Sequence, residues 1–178
     1  MVSSCFVPLF LALFISSTLV VNGDIDLIQK TCKSTKFYDL CISSLQSDST
    51  SPEADTKGLA IIMAKVAMAN ATNTTSYLSS NVLVIKNIDS LAKRALKQCA
   101  DKYSAAGTAL QNSVQDLSSE LYDYAYMHVM AAADYANACR NGFKRYPRLV
   151  YPPEIAAREE GLKRICDVVM GIIDGLAN

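Results

Sequence analysis

The placement of the cysteines constrains this 178-residue chain more than any other feature. Cys32 and Cys41 bracket the polar stretch "CKSTKFYDLC", and their midpoint falls between Lys36 and Phe37. There "STKF" separates two short helical patterns, "DIDLIQKTC" and "FYDLCISSLQ". Cys99 and Cys139 have their midpoint at residue 119, inside the polar break Ser118-Ser119. In an antiparallel helix pair, residues equidistant from the turn sit at one height, where a disulfide's Cα atoms can approach within about 7 Å. Several pairings of the five cysteines beyond residue 23 are open from sequence alone. Symmetry about the two turns favours Cys32–Cys41 and Cys99–Cys139 and leaves Cys166 as a free thiol.

Disulfide chemistry presupposes an oxidising compartment. Residues 1–23 supply the reason to expect one: Phe6 to Val21 carries no charge, and Val21-Asn22-Gly23 places compact residues at a cleavage site. The apolar run falls short of the ~20 residues that a membrane span needs. The expectation is a secretory signal peptide that removes Cys5 and leaves a mature domain over 24–178 with no membrane span. A structural metal is disfavoured, since there is no Cys-x-x-Cys pair and the chain has one histidine.

The long stripes between the cysteines are helical in period. Ile88, Ala92, Ala95, Cys99, Tyr103, Ala106, Leu110 and Val114 recur every three or four residues, as do Leu121, Ala125, His128, Ala132, Tyr135, Cys139 and Phe143. The second stripe is expected to stop near Gly142. "SDSTSPEADTKG" reads as a linker whose Pro52 and Glu53 open a helix from about 53 to 80, carrying Leu59, Ile62, Met63 and Val66. A last helix follows Pro152-Pro153 with Ile155, Leu162, Ile165, Val169, Ile172 and Leu176 inward. No window alternates as a strand does. The expected fold is all-α: an up-and-down four-helix bundle over 53–178, preceded by a disulfide-stapled helical hairpin over 24–48.

Net charge is zero, so electrostatics give no reason to expect a nucleic-acid partner. Nothing in the sequence calls for a cofactor, and no residues are placed as acid, base and nucleophile. His128 lies on an apolar stripe and reads as a structural histidine, and Cys166 as an inert core thiol. Tyr122, Tyr124 and Tyr126 crowd the start of one helix, where they cannot all face inward; exposed tyrosines are enriched at interfaces. The segment "NGFKRYPRLVY" carries Lys144, Arg145 and Arg148 with no acid, as a solvated basic loop or a partner contact. Asn70 and Asn73 open two overlapping glycosylation sequons.

The leader, the Cys-x8-Cys hairpin, the second cysteine pair 40 residues apart and the strings "TCKSTKFYDLCISSL", "LAIIMAKVAMANA" and "CRNGFK" together resemble the plant invertase and pectin methylesterase inhibitor family. The resemblance implies a non-catalytic secreted protein with the same pairing of its first four mature cysteines. It also implies a one-to-one complex with a pectin methylesterase or an acid invertase in the cell wall or vacuole, occluding an acidic cleft. Some invertase-blocking members carry Pro-Lys-Phe at the turn between the disulfide-linked helices. Here that stretch is Leu121-Tyr122-Asp123-Tyr124, and Asp123 has the wrong sign for the lysine's task. The expectation is therefore a pectin methylesterase inhibitor. The alternatives are an acid invertase inhibitor using Tyr122, Tyr124 or the basic loop, or a ligand-binding or storage member that inhibits nothing.

Overall fold

The structure, a computed structural model, describes residues 27–177, so the expected leader with Cys5 lies outside the described residues. It is helical throughout, with no strand among the described residues. Helix α1 is seen over 27–33 and α2 spans Tyr38–Gln46; the bundle follows as α3 (Thr56–Tyr77), α4 (Ser90–Ser118), α5 (Tyr122–Lys144) and α6 (Pro153–Ala177). In the bundle α3 packs on α4, α4 on α5, α5 on α6, and α6 back on α3. The chain thus runs up, down, up and down, as short turns between amphipathic helices require.

Helices α3 and α4 begin where their orphan N–H groups find a side-chain acceptor. The Asp55 carboxylate accepts from Gly58 N at 2.7 Å, and that of Asp89 from Leu91 N and Ala92 N at 3.0 and 2.9 Å. The linker differs from expectation here. Pro52 and Glu53 form a separate short turn over Ser51–Glu53, and α3 begins only behind the Asp55 cap. At its far end α3 stops at Tyr77 and widens into a turn closed by Leu83 N donating to Leu78 O at 2.9 Å. Gly142 does not stop α5: its φ is not positive, Phe143 beyond it is buried, and the helix runs on to Lys144.

Most of the expected stripes form the core, but α5 is rolled by one residue: Val129 and Ala136 are buried, while His128 and Tyr135 are half-buried and Leu121 is exposed. Ala95, Cys99, Tyr103, Ala106 and Leu110 of α4 meet Ala125, Val129, Ala132, Ala136 and Cys139 of α5, with Leu59, Met63, Leu162, Val169 and Ile172 completing it. Alanine on both facing helices lets α4 and α5 approach closely. The α1–α2 hairpin lies across α3 and α6, fixed at its turn. Lys36 pairs with Asp167 at 3.2 Å, and Arg164 covers the Phe37 ring at 4.7 Å. Gly171 makes room for the turn, since a Cβ there would sit 3.2 Å from Thr35 Cα.

Candidate recognition surface

The two cysteine pairs close as disulfides, Cys32–Cys41 with Cα atoms 5.6 Å apart and Cys99–Cys139 with 4.6 Å. Cys166 is a free thiol, buried among the α6 core residues, and that burial pushes its pKa up to about 12. A thiol held protonated is not a nucleophile.

The Cys99–Cys139 bridge fixes α4 against α5, and their connecting turn is equally well defined. Glu120 N donates to Leu117 O at 3.1 Å and Leu121 N to Asp116 O at 2.9 Å, the double bond of a left-handed helix stop. Glu120 itself takes the left-handed position with φ 60°, where glycine is usual, and Lys57 from the start of α3 pairs with its carboxylate at 2.9 Å. Just past this turn Tyr122 is half-buried, and Asp123 and Tyr124 are exposed, Tyr124 by 59%. Tyr122 and Tyr126 line a notch against Ile173 and Ala177 of α6, while Leu121, Met127 and Met130 stand exposed with Tyr124. The three tyrosines thus divide between a notch and an open ridge. His128 is half-buried, and its Nδ1 lies 2.7 Å from the Asp116 carboxylate across the turn.

At the opposite end, Lys144, Arg145 and Arg148 are exposed around the α5–α6 connection. Beneath it lies a polar cluster that sequence reasoning missed. Glu159 of α6 is only 1% exposed, and its carboxylate accepts from Arg140 Nε at 2.8 Å. Tyr151 from the connection packs edge-on against Phe143, with its hydroxyl 3.5 Å from Cys139 Sγ. Burial first, then the Glu159 charge, pushes the Tyr151 and Tyr103 hydroxyls well above the usual tyrosine range. A signal was present: the stripe from Ile155 to Leu162 skips one turn, and Glu159 fills the gap.

A second missed feature is the distribution of charge. Between Tyr103 and Cys139 there is no Lys or Arg, only Asp116, Glu120, Asp123 and Asp134. The flanking stretches 86–102 and 140–148 are rich in both cations. The α4–α5 pair is therefore acidic and tyrosine-bearing at its turn and basic at its open end. Of the two sequons, Asn73 is exposed on α3, whereas Asn70 is half-buried with its carbonyl oxygen buried and its amide nitrogen toward Gly161 of α6.

Among the described residues no three His, Cys, Asp or Glu side chains gather into a metal site, and no helix is long and apolar enough to cross a membrane. The described residues thus form a doubly clamped helical bundle with one chemically polarised face. The family model described as plant invertase/pectin methylesterase inhibitor matches residues 26–172. The chain belongs to that family of inhibitors and is not an enzyme. It is 47% identical over 98% of its length to "Cell wall / vacuolar inhibitor of fructosidase 2" of Arabidopsis thaliana, covering 97% of that protein. It is 37% identical over 83% of its length to "Pectinesterase inhibitor 28" of Oryza sativa subsp. japonica, covering 67% of it. A crystal structure of a mutant pectin methylesterase inhibitor from Arabidopsis shares the fold, with a TM-score of 0.67 at 24% identity over 83% of this chain and 95% of that one.

Proposed function

We propose that this protein inhibits a plant acid invertase of the cell wall or vacuole, as a secreted, one-to-one blocker of the substrate cleft. One observation carries the reading: the 47% identity, end to end, with a protein named as a cell wall and vacuolar inhibitor of fructosidase. The absence of Pro-Lys-Phe at the α4–α5 turn does not count heavily against it. Glu120 is already answered by Lys57, and an exposed Asp123 at a rim stays hydrated at little cost. The turn offers apolar anchors in place of a lysine: Leu121, Tyr124 and Met127 project beyond the clamped helices, and such side chains dominate binding where they are desolvated.

The test is parallel titration of a purified acid invertase and a pectin methylesterase with the mature protein at mildly acidic pH. Invertase activity should fall to a one-to-one endpoint while the esterase keeps its activity. Tyr124→Ala should raise the inhibition constant about tenfold, as removal of one buried aromatic anchor does. A second reading, inhibition of a pectin methylesterase, draws on the 37% relative named a pectinesterase inhibitor and on the sign of Asp123. The reverse outcome of the same titration would establish it. Of the sequons, Asn73 is the one open to a glycan. Glycosidase treatment should shift the mass of the secreted protein, and Asn73→Gln should abolish that shift where Asn70→Gln does not.

A further inference from the structure

We infer that the basic end of the α4–α5 face is a binding groove for a linear polyuronate, a sugar chain with a carboxylate on each ring. The groove lies over the Cys99–Cys139 bridge, encloses about 520 Å³ and is lined by Gln98, Asp101, Lys102, Asn141, Gly142 and Arg145. Its side chains fall into two chemical kinds. Gln98 and Asn141 are amides, which donate to and accept from sugar hydroxyls. Lys102 and Arg145 are exposed cations with no ion pair among the described residues, and Arg94, one helical turn before Gln98, continues the strip. The one acid in the groove, Asp101, is answered by Lys97 at 3.3 Å.

The geometry favours a polymer over a small anion. An exposed cation and one carboxylate gain little in water, but cations repeated along a groove sum their contributions and release counterions. It also favours a sugar acid over a nucleic acid. The Tyr135 ring carries the Lys102 ammonium 5.5 Å from its centroid, and no aromatic residue lines the groove to stack on bases. The uronate is the wall polymer matched to the family: hydrolysis of pectin methyl esters uncovers one carboxylate per ester cleaved. Such a groove would hold the inhibitor where that polymer accumulates, leaving the tyrosine-bearing turn at the other end of the face free for an enzyme.

The experiment passes the mature protein over immobilised polygalacturonate, fully methyl-esterified pectin and single-stranded DNA, with no enzyme present, so it fails independently of the inhibitory reading. Retention on polygalacturonate at about 50 mM salt, lost by about 0.5 M, is expected, with little on the other two. The double variant Lys102→Glu, Arg145→Glu should bind at least about tenfold more weakly. Lys33→Glu with Lys65→Glu, which changes net charge equally on other exposed surfaces, should bind as the parent does. Thermal melts of all variants establish that each is folded. Equal loss in the control, equal retention of the groove variant, or binding to DNA or esterified pectin matching that to polygalacturonate overturns the proposal. So does a salt-sensitive dimer that the groove variant dissolves, for then the basic end belongs to a second copy.

Discussion

On its α3–α6 side the bundle is roofed by the hairpin, whose α2 packs on α3 and α6; α2 does not cover the α4–α5 side in the same way. The roofed side buries Ile28, Cys32, Cys41 and Leu45 against the core. The bare side leaves Tyr124, Met127 and Met130 in water beside a groove of cations and amides. Each side carries one disulfide, yet the two act differently. Cys32–Cys41 closes a small appendage that lies on the bundle, whereas Cys99–Cys139 ties two of the bundle's own helices on the side that α2 does not roof. The lesson is that on the α4–α5 side a covalent tie adds to a buried helix seam, whereas on the roofed side it closes the element that supplies the cover.

Replacing each pair of cysteines by serine attacks that distinction most strongly. Loop-closure entropy gives about 4 kcal/mol for the 40-residue separation and about 3 for the nine-residue one. Cys99→Ser with Cys139→Ser should lower the denaturant midpoint more and weaken inhibition as well. Cys32→Ser with Cys41→Ser should loosen the hairpin while the α4–α5 face survives. Equal losses of inhibition in the two variants would break the comparison.

Next in size is the buried charge that ties the two sides together, joining α5 to α6. Arg140→Ala leaves the Glu159 carboxylate without its cation in a site only 1% exposed, and loss of such a partner costs about 3 kcal/mol. Glu159→Gln keeps the shape and removes the charge, so it should cost less. A melt that ranked them the other way would mean that water reaches Glu159.

Gly171→Ala probes the roofed side with a smaller effect. The new methyl would meet Thr35 Cα at 3.2 Å and Ser34 O at 3.4 Å, and backbone cannot yield as a side chain can. A cost of about 1–2 kcal/mol is expected, with faster amide exchange confined to α1 and α2. Exchange that quickened equally in α4 and α5 would show that the hairpin and the bare face are one cooperative unit.

The clamped architecture was legible because its signals are periodic and symmetric. The cysteine midpoints coincide with turns, and the stripes of α4 and α6 are almost uninterrupted. What escaped was what periodicity does not encode. Pro52-Glu53 resembles a helix start as well as Asp55 does, and only the accepted Gly58 N–H separates them. Gly142 resembles a stop, but burial of Phe143 one residue on carries the helix past it. Glu159 sits at a core position under a polar name, intelligible only once Arg140 is seen to reach it from another helix. Asn70 and Asn73 are three residues apart on one helix, and which of them faces α6 depends on how α3 is rolled, which no single helix wheel determines.

The smallest effect is expected at the tip of the bare face. Glu120 holds a left-handed backbone conformation that costs a non-glycine residue roughly 1–2 kcal/mol, so Glu120→Gly should relieve strain. Two terms oppose the gain. Glycine widens the unfolded ensemble by about 0.4–1 kcal/mol, and the solvent-screened Lys57–Glu120 pair is lost with the carboxylate. The net change in stability should therefore be within about 0.5 kcal/mol of zero. Binding should not share that cancellation. Glycine frees the residue that aims Leu121 and Tyr124, so inhibition should weaken while the melt stays put. Lys57→Ala, which removes the pair and keeps the backbone, should leave inhibition intact. If Lys57→Ala weakened inhibition as much as Glu120→Gly, the turn would be held by its ion pair and not by its backbone geometry.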